Sequence, residues 1–238
     1  MNFTQKTYTA VLLALTGVIS VSSVNATPIT LGDSVFGGGV DSWRSIMVIG
    51  ENDGYINTTG NTQEFDVTAF NFRVGANRGS VTPFVVRVND ATANDFTLLA
   101  IGDTRSSGVD YNSLGDFSFD FSSILSSITL NPGDYIAPGF LDADADGKSA
   151  GSVIPFFGGD SVFLTGSPAD SGSGNLSNGI GGSPTFGTST FTNGLNRNYS
   201  FNISLEETVS VPEPGSMALL FLGLVGLTIG RRNQKMRA

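Results

Sequence analysis

The segment Asp142-Ala143-Asp144-Ala145-Asp146-Gly147-Lys148 sets three carboxylates at alternate positions ahead of a glycine. In a tight loop, carboxylates spaced this way converge on one hard cation, and the glycine permits the sharp turn that lets the next carbonyl join them. The chemistry implied is Ca²⁺ binding by Asp142, Asp144, Asp146 and the carbonyl of Lys148. The plain alternative is a solvated acidic turn between two strands.

The pattern is similar to the first half of an EF-hand-type loop, but the twelfth position is Val153 where a bidentate Glu is expected. Pro138-Gly139 also leaves no room for a preceding helix. Carboxylates from elsewhere, or water, would have to complete the shell. Trp43, the only tryptophan, lies near Gly37-Gly38-Gly39 and Arg44. With Tyr55, Tyr111, Tyr135 and Tyr199 it could stack on sugar rings, because such side chains pair an apolar face with a polar edge. Core packing is the competing reading, above all for Tyr199. The glycine triplet follows no strand-to-helix context and reads as a loop, not a phosphate cradle.

Carboxylate pairs for glycoside hydrolysis, such as Glu51 with Asp53 or Asp116 with Asp120, need a separation of about 5–10 Å and distinct surroundings. Surface charge explains them more simply. Histidine and cysteine are absent, which removes Ser-His-Asp triads, cysteine nucleophiles and the ordinary zinc, copper, haem and iron–sulfur ligand sets. No disulfide can form. What survives is carboxylate, Ser-Lys or Tyr chemistry and oxygen-bound hard cations. The several Asn-X-Ser/Thr sequences, such as those at Asn57, Asn198 and Asn202, carry weight only under eukaryotic-type glycosylation.

Groups of this kind need a scaffold, and the chain between its two ends reads as β throughout. Ser45 to Ile49 is a short apolar run expected as a buried strand. Glu64 to Val74 changes the phase of its alternation, which implies a bulge or a strand covered on both faces. Val81 to Val88 contains Pro83 and is expected at an edge or a strand start. Phe117, Phe119 and Phe121 alternate with polar residues, giving one buried and one wet face. Val153 to Phe157 and Ser161 to Leu164 are expected to pair around Gly158-Gly159. Gly166 to Gly187, dominated by Gly, Ser, Asn and Pro, is expected as a long mobile loop. Asn198 to Leu205 points Tyr199, Phe201, Ile203 and Leu205 inward and its Asn and Ser outward. The fold class is all-β: a single antiparallel β-sandwich, jelly-roll-like.

Both ends carry signals of another kind. Met1 to Ala26 combines Lys6, an apolar stretch from Ala10 to Val21 and Val24-Asn25-Ala26 before Thr27, the pattern of a signal peptide cleaved after Ala26. At the other end, Val211-Pro212-Glu213-Pro214-Gly215-Ser216 leads into an apolar run from Met217 to Ile229, closed by Arg231, Arg232, Lys235 and Arg237. A helix from Gly215 to Gly230 would span roughly 24 Å against about 30 Å of bilayer hydrocarbon. It is a marginal transmembrane helix, and its basic flank is expected on the cytoplasmic side.

This tail resembles the PEP-CTERM sorting signal of Gram-negative bacteria. The resemblance implies recognition by a membrane transpeptidase, exosortase, and delivery to the cell surface or an exopolysaccharide matrix. Val211, Pro212, Glu213 and Pro214 would be the recognised motif, Met217 to Ile229 the membrane segment and Arg231-Arg232 the stop. More faintly, the stretch from Asn131-Pro132-Gly133-Asp134 to Phe157 is similar to β-sandwich ectodomains that accompany such tails. The organisation expected is a signal peptide at 1–26, an ectodomain at 27–205 with its loop at 166–187, a stalk at 206–210 and the sorting tail at 211–238.

Between Asp33 and Glu213 lie all 21 acidic residues but only seven basic ones, a formal charge of −14. So acidic a surface repels nucleic acid and anionic membrane and suits solubility outside the cell, cation binding, or contact with neutral or basic polymers. The expectation is a non-enzymatic structural or adhesive protein of the surface or biofilm matrix. It requires no cofactor, with Ca²⁺ the candidate ion. Its partners are signal peptidase and exosortase during export, the membrane before processing, and an exopolysaccharide or other surface polymer. A calcium-dependent carbohydrate-binding module and an extracellular glycoside hydrolase are the alternatives.

Overall fold

The computed structural model describes residues 28–33, 38–39, 45–50, 54–91, 93, 95–121, 127–143, 153–167, 174–186 and 192–208. Residues from Ala26 to Thr208 group as one unit, and the fold described is that of this unit. The expected signal peptide and transmembrane helix lie outside the described residues.

The first strands are β1 (Ile29–Gly32), β2 (Ser45–Gly50), β3 (Tyr55–Ile56), β4 (Gln63–Val74) and β5 (Ser80–Asp90). Next come β6 (Asp95–Ile101), β7 (Arg105–Ser106), β8 (Gly115–Asp120), β9 (Ser127–Leu130) and β10 (Tyr135–Ala143). β11 (Phe156–Ser167), β12 (Gly174–Asn175), β13 (Thr185–Phe186), β14 (Thr192–Tyr199) and β15 (Phe201–Glu207) follow. No helix occurs among the described residues, and every strand pair is antiparallel. The all-β expectation holds.

A five-stranded sheet runs β1-β15-β4-β8, with β9 also on β4. An eight-stranded sheet runs β14-β11-β2-β10-β5-β6, with β3 beside β10 and β7 beside β5. The pairs β1–β15, β2–β10, β4–β8 and β5–β6 nest inside one another along the chain. One core joins Leu31, Phe70 and Ile203 of the smaller sheet to Ile46, Val85 and Phe140 of the larger.

Alternation explains why the larger sheet reads as nearly unbroken apolar sequence. Ile46 and Val48 face this core, whereas Met47 and Ile49 join Phe84, Val86, Phe96 and Leu98 in a second cluster on the opposite face. A strand buried on both faces loses its polar alternation. In the described parts of the mobile loop expected at 166–187, residues 166–167 and 174–186, the chain is instead paired and packed; 168–173 and 187 lie outside the described residues. There β11 runs on to Ser167, and β12 and β13 pair with each other. Leu176 packs on the second cluster, Pro184 is buried, and Leu98 of β6 exchanges backbone hydrogen bonds with Gly181 and Gly182, each 2.8 Å. Few apolar groups suffice because glycines let this backbone approach a sheet that supplies the apolar surface itself.

Three further expectations change. Pro83 lies inside a central strand, not at an edge, because its missing N–H falls where β6 ends and β7 has not begun; its carbonyl accepts from Gly102 N–H at 2.9 Å. No hairpin forms at Gly158-Gly159: both glycines lie inside β11, where the pairing with β14 slips between Phe157 and Ser161. The run 198–205 is two strands in different sheets. It breaks at the fully buried Ser200, whose N–H donates to Pro155 O and whose carbonyl accepts from Arg73 N–H, each 3.0 Å. Asn198 is therefore buried instead of outward.

The phase change in β4 is a bulge. Phe65 and Val67 are buried ahead of it and Phe70, Phe72 and Val74 beyond it, and the register with β15 shifts between Ser204 and Leu205. The same point is where the other edge of β4 passes from β9 to β8.

Where the chain enters and leaves this unit bears on function. Ile29 pairs with Leu205, and Thr208 N–H donates to Glu64 O at 2.8 Å, so both termini of the unit emerge at one end of the smaller sheet. The 12-residue β4 carries the sheet roughly 36 Å to the other end. There Gly75 and Ala76 donate to Val153 O at 2.8 and 3.4 Å, beside the last residues of β10.

Candidate functional site

Asp142 is the penultimate residue of β10, between Ile46 of β2 and Val81 of β5. It shares parity with Ile136 and Phe140, so its side chain turns toward the inter-sheet core and is only 2% exposed. Its Oδ2 accepts a hydrogen bond from Val153 N–H. Val153 and Ile154 are buried in the core, and Val153 O holds the turn after β4. The first carboxylate of the acidic run is thus a neck, joining the two residues between which 144–152 must depart and return.

Tyr111 supports the same end from the β7–β8 connection. Its ring is buried edge-on to Phe72, centroids 5.8 Å apart, and its hydroxyl donates to the carbonyls of Arg78 and Gly79 at 3.2 and 3.1 Å. Burial first, then the negative charges of Asp142 and Asp110, push this hydroxyl far above the usual phenol range. Sequence reasoning grouped Tyr111 with sugar-stacking aromatics; the fold spends it on closing the core. Tyr199 is likewise buried, packed against Phe140 and Phe156. Tyr55 and Tyr135 are half-buried in neighbouring strands at the other end, with Tyr55 edge-on to Phe65. The described tyrosines therefore form no common platform.

Of the other residues singled out by sequence, Asp144, Asp146, Lys148, Trp43, Glu51 and Asp53 lie outside the described residues. Among the described residues no group of three or more carboxylates could hold a metal ion. Asp116 and Asp120 stand on one exposed face of β8. Four residues along a strand place them roughly 13 Å apart, beyond the spacing of a hydrolytic pair. Asp116 is also bound to Arg73 at 2.7 Å.

The described arginines are largely turned to internal use. Arg87 bridges Asp134 at 3.0 Å and Thr129 O at 3.1 Å, and Arg105 lies 3.5 Å from Asp110 and 4.7 Å over the Phe119 ring. Arg197 caps Phe156 at 4.4 Å. Each such ion pair cancels one positive against one negative charge, so the outward field stays acidic. Of the Asn-X-Ser/Thr asparagines, Asn57, Asn198 and Asn202 are likewise structural. Asn57 Nδ2 spends both hydrogens, on Asn61 O and Leu130 O; Asn198 is buried; Asn202 links Asp33 O and Asn71.

The second candidate site is the tail. Residues 210–233 match the family model of the PEP-CTERM protein-sorting motif. The chain carries a PEP-CTERM sorting signal. A PEP-CTERM protein is an exosortase substrate, exported and sorted through the membrane to the cell surface. The match spans Val211, Pro212, Glu213, Pro214, Arg231 and Arg232, all outside the described residues. No curated protein matches the chain. Among the described residues no helix is long and apolar enough to cross a membrane.

Proposed function

We propose that this PEP-CTERM protein is a non-enzymatic structural or adhesive component of the cell surface or exopolysaccharide matrix. Its folded part is read as a β-sandwich of jelly-roll type, from the nested strand pairs that wrap one core. The sorting motif at 210–233 carries the reading. The path of the chain supports it: Ile29 and Thr208 lie at one end of the smaller sheet, and Asp142 and Tyr111 lie at the opposite end of the same unit. A field with its arginines committed internally favours neutral or basic polymers over nucleic acid.

The test is localisation followed by binding. Cells producing the full chain are compared with cells producing Arg231→Gln/Arg232→Gln or a chain ending at Ser210. Surface-released protein is expected from the first and its loss from the others; equal release from all three would overturn the sorting role. The released protein is then incubated with neutral polysaccharides and with its host's matrix. Turnover of a polysaccharide would replace the structural reading by an enzymatic one.

A calcium-binding module is the second reading; it rests on the sequence spacing of Asp142, Asp144 and Asp146, of which Asp142 is buried and engaged by Val153 N–H. Melting the released protein in millimolar Ca²⁺ and in chelator tests it. An identical midpoint in both removes the ion.

A further inference from the structure

We propose that β1 is an exchangeable strand, donated by one copy of this chain to the β15 edge of another, so that the surface protein assembles with itself. The proposal rests on the export reading, which frees the amino terminus, and adds a partner to it.

β1 has four residues and lies at the rim of the smaller sheet, hydrogen-bonded to β15 alone. It inserts one fully buried side chain, Leu31, into the core, with Ile29 half-buried beside it. The expected cleavage after Ala26 leaves only Thr27 and Pro28 ahead of the strand, so nothing has to thread for it to leave. Gly32 ends the strand at φ 94°, where a Cβ would stand 2.6 Å from Phe201 O, and the chain then passes to β2 in the other sheet. Asp33, the next residue, is also held on β15, its N–H donating to Phe201 O at 3.1 Å and its carbonyl accepting from Asn202 Nδ2 at 2.9 Å, so the exchanged segment runs through Asp33. The remaining strands β15, β4, β8 and β9 pair with one another without β1.

The seat demands a strand. Without β1, the edge of β15 shows unpaired backbone groups beside Ile203 and Leu205, a template for edge-to-edge pairing. Donation from a second copy remakes every contact that withdrawal breaks, which makes strand exchange a low-cost route to assembly. The absence of cysteine means that no disulfide pins the strand in place.

The same absence makes the test clean. Thr30 and Ser204 face each other across β1 and β15, and directly opposed residues of antiparallel strands lie within disulfide reach. Full-length chains carrying Thr30→Cys and Ser204→Cys are co-produced in one exporting cell, and the surface-released protein is run on a non-reducing gel. Exchange gives a disulfide-linked species of twice the monomer mass, joining one chain of each kind through residues 30 and 204 by peptide mass spectrometry. The proposal fails if mixed cells yield only monomer while Thr30→Cys/Ser204→Cys in one chain closes its internal bridge. It fails equally if Thr30→Cys alone gives as much dimer. Should neither chain reach the surface, the sorting reading is at fault, and the same gel on full chains purified in detergent decides strand exchange separately.

Discussion

The carboxylate of Asp142 accepts a hydrogen bond from the backbone N–H of Val153, eleven residues on. Because both residues are buried, losing the acceptor leaves a desolvated N–H with no water to replace it. Asp142→Ala is expected to cost about 1–3 kcal/mol of unfolding free energy, and Asp142→Asn, which keeps an acceptor, less. Urea titration of the two variants measures this. Equal losses would show that charge, not the accepted bond, is what this position contributes.

Tyr111 makes the alkaline limb of stability diagnostic. Its folded pKa is raised by burial and by Asp142 and Asp110, so the folded state keeps the proton where the unfolded chain releases it. The resulting stability is complete below about pH 10, the unfolded value, and is lost above it at up to about 1.4 kcal/mol per pH unit. Tyr111→Phe should flatten that limb relative to the parent. Parallel limbs in denaturant titrations from pH 8 to 11 would contradict the assignment.

Asn57 ties the β3–β4 turn to the β9–β10 turn. Its Nδ2 donates to Asn61 O and Leu130 O at 3.0 Å each, and its Oδ1 accepts from Thr59 N–H at 3.0 Å and Thr59 Oγ1 at 2.7 Å. With the buried Leu130 carbonyl orphaned and the ties to the exposed Thr59 and Asn61 lost with it, Asn57→Ala should lose about 1–3 kcal/mol. Calorimetry would show the melting midpoint falling, and a fall no larger than that of an exposed control such as Thr58→Ala would refute the role.

Leu176 covers the second apolar cluster. Leu176→Ala is expected to cost about 1–2 kcal/mol and to raise binding of a hydrophobic dye, whereas Ile180→Ala, at an exposed position, should stay within about 0.5 kcal/mol of the parent. Dye fluorescence that rises equally for both would mean that the 174–186 segment does not seal that face.

How much of this could be read from residues alone depended on whether the deciding interaction was local. The apolar alternation at Tyr199, Phe201, Ile203 and Leu205 was legible, as was the phase change in β4, since parity along a strand assigns faces without reference to partners. The position of Pro83 was not: a missing N–H is tolerated wherever a neighbouring strand happens to end, and that neighbour lies well downstream. Nor was the packing of 174–186, which borrows its apolar surface from β6.

The chain's own order of residues determined the all-β class, the loss of His and Cys chemistry, the acidic field and the sorting signal matched at 210–233. Each depends on composition or on contiguous residues. Tertiary structure decided which side chains of the candidate site are spent inside: Asp142 on Val153, Tyr111 on the carbonyls of Arg78 and Gly79, the arginines on their carboxylates and rings. It also brought Ile29 beside Leu205. Such pairings join residues up to 176 positions apart, and their free energy exists only once the sheets have closed around a common core.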